Sequence, residues 1–300
     1  MPPSDHQSYA VYWSIYTDFR GRQQFRKLYW DRLKDLIGRP AKLIGIEREA
    51  LWPSGAPSHE LRCHVWRFFM ADNFEHAVAE TMRAASRVAP DWRVVNAPRT
   101  APPPDRTDEL FVLNWCRDAV GQSSTDLPLS KLTDIQVSLN VDTGFRVRPG
   151  FTIAGGGDKE RPALAMLPRR ENARRTYAAE WRMQLQTSTK RELLETHWPQ
   201  LQAWFGDGAE MIELDKRSGD TGPFQFKVRK VWLDVTEDWF VTTVLTRCGG
   251  LHVILEAGRS GEVTKLRGAL RGGGVPRTSM VLGLVAGPFE PDAKSLRAAK

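Results

Sequence analysis

Cysteine is scarce in this 300-residue chain: Cys63, Cys116 and Cys248 make an odd count with no Cys-x-x-Cys pair. That argues against a disulfide framework or a zinc knuckle and makes reduced thiols in a cytoplasmic protein the expectation. Long apolar runs are lacking too. The longest glycine-interrupted stretch, Met280–Ala286, is far too short to span a bilayer. Met1-Pro2-Pro3-Ser4-Asp5-His6 has no basic segment followed by an apolar one, so no secretory signal is read. The expectation is a soluble cytoplasmic protein with no membrane partner. Histidine is thinly spread over His6, His59, His64, His76, His197 and His252. Cys63 and His64, adjacent in one strand, point to opposite faces, so no metal centre is expected. Neither Gly-x-Ser-x-Gly nor His-Glu-x-x-His occurs, and no cofactor is indicated.

What is present is positive charge. The net charge is +7 with a sequence pI near 9.4. That balance suits an anionic partner, nucleic acid first among them, although arginine enrichment from a GC-rich genome would give it too. Apolar content of 41% and charged content of 26% are ordinary for folded domains, which excludes a disordered chain.

Hydrophobic periodicity sets out the first hundred residues. Ser8–Asp18 reads as a strand, Gly21–Ile37 as a helix, Ala41–Leu51 and Glu60–Met70 as strands, Phe74–Ala89 as a helix and Trp92–Asn96 as a strand. The order is β-α-β-β-α-β, the ferredoxin-like arrangement, with both helices expected on one sheet face. The first helix carries an apolar stripe of Phe25, Leu28, Tyr29, Leu33, Leu36 and Ile37, with Gly38 and Pro40 ending it. Its other face carries Arg22, Arg26, Lys27, Arg32 and Lys34.

Pro98, Pro102, Pro103 and Pro104 mark an expected linker over 98–107. The reading is α+β: a ferredoxin-like domain over 1–97, a second α+β domain over 108–293, and a tail over 294–300. In the second domain Glu109–Val120 reads as a short helix, and Ile135, Val137, Leu139 and Val141 alternate as a strand. Glu171–Phe205 reads as a long helix over most of its length, with Pro199 breaking or kinking it. Phe224–Val235, Trp239–Arg247 and Leu251–Ala257 read as an antiparallel meander, joined at Glu237-Asp238 and Gly249-Gly250. No self-similarity between the halves is read from the sequence, while a diverged second unit of similar topology stays open.

Two constellations suggest chemistry. Strand parity puts His64, Trp66, Phe68 and Met70 on one face of the third strand, and Tyr12, Ser14 and Tyr16 on one face of the first. Aromatics on two central strands resemble those that RNA-recognition modules use to stack bases; Arg62, Trp66 and Phe69 fit their pattern, and Val65 stands where a small residue is expected. Packing of the same rings against covering residues is the competing reading. The second constellation is Lys265–Ser279, where Arg267, Arg271 and Arg277 flank Gly272, Gly273 and Gly274. Glycines let backbone N–H groups converge on an anion, and guanidinium forks supply charge. This segment is similar to the basic, glycine-rich C-terminal loops of CRISPR RNA-processing proteins with paired ferredoxin-like domains, without their Gly-x-Gly spacing.

The function expected is therefore binding of RNA or single-stranded DNA through Tyr12, His64, Trp66, Arg267, Arg271, Gly272, Gly273, Gly274 and Arg277. A protein-interaction or assembly subunit is the alternative, and a small-molecule enzyme sited between the domains is a further one. His64 is the one side chain considered as a general base in RNA cleavage, so whether the chain is an enzyme stays open.

Overall fold

The structure is a computed structural model that describes residues 7–48, 61–101, 109–117, 131–142, 164–168, 173–187, 189–214, 223–257, 263–270 and 279–290. It divides into two compact units, Met1–Arg170 and Glu171–Lys300. The class is α+β, mostly antiparallel sheet.

The first unit opens with β1 (Gln7–Thr17). Helix α1 follows in three continuous pieces, Arg22–Phe25, Arg26–Trp30 and Asp31–Ile37. Then come β2 (Lys42–Arg48), β3 (Leu61–Ala71), α2 (Phe74–Val88), β4 (Trp92–Asn96), β5 (Glu109–Cys116), β6 (Leu132–Val141) and the short β7 (Leu164–Met166). The sheet order is β2-β3-β1-β6-β5-β4, antiparallel throughout, with β7 parallel to β3. Both helices lie on the face that carries Cys63, Val65 and Arg67: Arg67 bonds Glu80 of α2 and the Ile37 carbonyl of α1.

Element order over 7–96 thus follows the sequence reading, but the sheet does not. A ferredoxin-like sheet would set β4 beside β1; here β6 occupies that place and β4 lies beyond β5. The cause is Glu109–Cys116, read as a short helix. Leu110, Phe111, Val112, Leu113 and Trp115 are all buried. An apolar run buried on both faces has no period to distinguish helix from strand, and here it forms β5. Residues 102–108 lie outside the described set; β4 and β5 on either side of them pair with each other.

The second unit contains β8 (Arg175–Leu185), α3 (Lys190–Glu192, Leu193–His197 and Trp198–Phe205), β9 (Glu210–Leu214), β10 (Phe224–Val235), α4 (Glu237–Leu245), β11 (Leu251–Ala257), β12 (Val263–Leu270) and β13 (Ser279–Pro288). Its order is β9-β10-β8-β13-β12-β11, again antiparallel. Two expectations are corrected here. Glu171–Phe205 is not one helix: its first half is β8, where Tyr177, Ala179, Trp181, Met183 and Leu185 alternate inward. Nor does Trp239–Arg247 form the middle of a meander. Thr236 caps α4 by accepting from the Trp239 N–H, and Glu237 and Asp238 sit in its first turn, where the helix dipole favours carboxylates. Those N-terminal signals override the β-branched run Val241-Thr242-Thr243-Val244.

The two units repeat one another, which the sequence reading missed. Apart from the short β7, each runs β-α-β-β-α-β-β-β, and their sheets have the same order, since β9-β10-β8-β13-β12-β11 matches β2-β3-β1-β6-β5-β4 strand for strand. Sequence carries the match over the first three elements. Tyr9, Ala10, Trp13, Trp30, Leu33, Gly38, Ala41 and Ile44 recur 168 residues on as Tyr177, Ala178, Trp181, Trp198, Leu201, Gly206, Ala209 and Ile212. The shared pattern is structural. Trp13 and Trp181 are fully buried at the centre of their sheets, and Gly38 and Gly206 end α1 and α3 at φ of +101° and +91°, where a side chain would be strained.

Both long helices also contain a π turn, at Arg26–Trp30 and at Leu193–His197. The spacing of core residues explains it. Phe25, Leu33 and Ile37 in α1, and Leu193, Leu201 and Phe205 in α3, are fully or almost fully buried and stand eight and four apart. Each step of four carries an α-helix about 40° beyond a full turn, and one wider π turn takes up that drift. The same turn rotates Leu28 outward, 58% exposed, although it belongs to the stripe read from the sequence.

Candidate functional site

The face of the first sheet opposite α1 and α2 gathers the expected aromatic residues. Register sets Tyr12 opposite Trp66 and Ser14 opposite His64, with Lys42 of β2 across from Trp66 and Glu47 across from Arg62. The Tyr12 and Trp66 ring centres are 5.0 Å apart, and Trp66 lies nearly parallel to Phe68 at 5.7 Å. Arg62 donates to Ser14 Oγ at 2.9 Å and its guanidinium stands over the Tyr16 ring. Tyr12, His64 and Phe68 are buried, whereas Trp66 keeps part of its surface in solvent. Of the three aromatic-face residues singled out in the sequence, Trp66 alone keeps surface in solvent.

Tyr12 and His64 are occupied with each other. The Tyr12 hydroxyl stands 2.6 Å from His64 Nδ1. Burial, with Arg62 adding repulsion, pushes the His64 pKa down to about 4, so the ring is neutral near pH 7. A neutral ring that accepts the Tyr12 proton at Nδ1 carries its own hydrogen on Nε2, which faces Glu47 Oε2 at 3.6 Å. With that pKa and its Nδ1 engaged, His64 is a weak base at neutral pH. It has a consequence for stability instead. In the unfolded chain a histidine takes up a proton near pH 6.5, while folded His64 resists until about 4. Stability from this site is therefore fully present above pH 6.5 and falls with acidification across that window, by about 3 kcal/mol in all. Denaturant melts from pH 7 to pH 4 should show the loss, and His64→Gln should flatten it. An equal acid loss in the variant would remove His64 as its source.

In the second unit Arg267 projects from β12 on the face opposite Trp181, half exposed, with its Nε 2.9 Å from Glu256 Oε1. An exposed pair of this kind contributes little and opens readily. Ile254 and Val285, both exposed, are its cross-strand partners. Arg271, Gly272, Gly273, Gly274 and Arg277 lie outside the described residues; they belong to the segment joining β12 to β13. On the same face β8 and β10 set Arg182 opposite Lys227 and Glu180 opposite Arg229, and Arg182, Lys227, Glu213 and Gln225 border a hollow of about 230 Å³.

Sequence reading assigned Ser14 to the aromatic face but not Lys42, Glu47 or Arg62; parity alone would also have found Arg62. Lys42 and Glu47 depend on the register shift between Leu43 and Gly45. Among the described residues no group of three histidine, cysteine or acidic side chains could hold a metal ion. No described helix is long and apolar enough to cross a membrane. No protein-family model, curated protein or solved structure matches the chain.

Proposed function

We propose that the chain binds RNA or single-stranded DNA, stacking a base on Trp66 and drawing the phosphates with cations. The observation that carries this reading is Trp66, held between Tyr12 and Phe68 on the face opposite α1 and α2 yet partly open, with Lys42 directly across from it and Arg62 two same-face positions away along β3. A partly exposed indole on a sheet offers a π surface that any base can use. Arg267 supplies charge on the second unit, at the base of the strand that leads to Arg271, the three glycines and Arg277. Support for an assembly subunit comes from Ile254 and Val285, the exposed apolar residues that flank Arg267.

Salt separates the two. Phosphate contacts release counterions, so nucleic-acid affinity falls steeply with added salt, whereas an apolar protein contact does not. Trp66→Ala should weaken binding of a labelled single-stranded RNA by the ~1–3 kcal/mol typical of one stacked base, at every salt concentration alike. Arg267→Gln should instead lower the log–log salt slope by about 0.7. Fluorescence anisotropy across a salt series reads both. Wild-type protein that binds neither RNA nor DNA at low salt would sink the reading and leave the assembly role.

A further inference from the structure

The internal repeat provides a control for surface charge. Helices α1 and α3 share length, π turn, buried framework and terminal glycine, so whatever the fold requires of one it requires of the other. Their outer surfaces differ. In α1 the positions Arg22, Arg26, Lys27, Arg32 and Lys34 are cationic, and none makes an ion pair with any described residue. The equivalent positions in α3 are Lys190, Leu194, Glu195, Gln200 and Gln202. Four of the five cations are therefore dispensable to a helix of this design. Asp35, the acid nearest the end of α1, is already engaged by Arg39 at 3.0 Å.

We infer that the outer face of α1 is a second docking surface, which takes the phosphate backbone of a nucleic acid. The inference rests on the nucleic-acid reading but concerns the other side of the sheet, since α1 covers the Arg67 face and Trp66 lies on the opposite one. Charge complementarity selects a polyanion: five cations against one acid, Asp31, lie within thirteen residues, which span about 18 Å of helix, and a duplex presents a phosphate every 3.4 Å along each strand. An anionic bilayer fits less well. Interfacial helices insert an apolar face, and that of α1 is spent on the core through Phe25, Leu33 and Ile37, leaving Leu28 alone outside. The face reads no sequence, because charged side chains without base-edge contacts position a backbone only.

The test copies the twin helix. A triple variant, Lys27→Glu with Arg32→Gln and Lys34→Gln, installs the residues that α3 already carries at those places, so its thermal melt should match the wild type. Binding of labelled single-stranded RNA and duplex DNA is then followed by anisotropy from ~50 to ~200 mM salt. The expected result is affinity at least about tenfold weaker at the low end and a salt slope smaller by about two to three units, with the effect of Trp66→Ala unchanged in the same background. A triple variant that binds like wild type while Trp66→Ala weakens binding would overturn the α1 surface and spare the Trp66 reading. The reverse outcome, loss in the triple variant with Trp66→Ala silent, would sustain α1 and remove Trp66. Wild-type protein that ignores both nucleic acids, or that binds anionic vesicles in their place, would overturn both.

Discussion

Arg67→Ala is expected to destabilise the first unit by about 3–5 kcal/mol, because it strands a buried carboxylate. Arg67 and Glu80 are paired at 3.0 Å, with side chains only 8% and 13% exposed. Burial opposes the charged form of Glu80, yet the guanidiniums of Arg67, Arg87 and Arg83 hold its carboxyl below the usual range. Arg67 also donates to the Ile37 carbonyl, one of the unsatisfied acceptors at the end of α1, and packs against Gly38, where a Cβ would stand 2.9 Å from its guanidinium carbon. Its loss therefore removes a charge partner and a helix cap together. Glu80 retains Arg87 at 3.4 Å, which places the cost towards the lower end. Urea denaturation reads it, and the double variant Arg67→Met with Glu80→Leu should recover part of the loss, since it removes both charges of the buried pair although Arg83 stays buried beside them. A single variant as stable as wild type would show that solvent reaches Glu80 easily.

The second large effect is paired. Trp13→Ala and Trp181→Ala should each cost about 3–5 kcal/mol, as large aromatic deletions from a packed core do. Both indoles are fully buried. Trp13 meets Trp92 edge to face at 6.3 Å; Trp181 meets Phe205 at 4.8 Å and Trp232 at 6.3 Å. Both also bury an indole N–H that has no hydrogen-bond partner among the described residues. Phenylalanine at either site should therefore be far milder than alanine, because it removes a desolvated donor while keeping most of the ring. Calorimetry on the four variants tests the equivalence of the two positions. A large loss at one tryptophan with near silence at the other would show that the repeat does not extend to energetics.

How far the fold was legible depends on how regular each local signal was. The α2 helix announced itself: Asn73 accepts from the His76 N–H at 2.8 Å, and Ala77, Val78, Met82 and Ala85 keep helical spacing. Strand β6 kept its alternation through Ile135, Val137 and Leu139. By contrast β5 and α4 are apolar on nearly all sides, and only pairing or capping decides such segments. The partner of β1 was beyond any local signal, since β6 begins more than a hundred residues later. The repeat, however, was visible: Tyr-Ala at 9–10 and 177–178, with Trp13 and Trp181 in step, could have been aligned by eye.

The same holds for the candidate site. Parity correctly put Tyr12, His64 and Trp66 on one face, because period two follows from strand geometry alone. It could not tell which of them stays open. That depends on what lies over the sheet, and Tyr12 and His64 are closed off while Trp66 is not.

The matched π turns bear on the history of the chain. Such a turn arises when one residue is inserted into an α-helix, and here it occupies the same stretch of both long helices. One insertion in a half-length ancestor, copied when its gene doubled, explains the pair with a single event in place of two. Four of the five cations of α1 have no cationic counterpart in α3 and so record a later divergence. Insertion, doubling and specialisation of one copy then follow in that order, and the oldest of the three is still written into both halves.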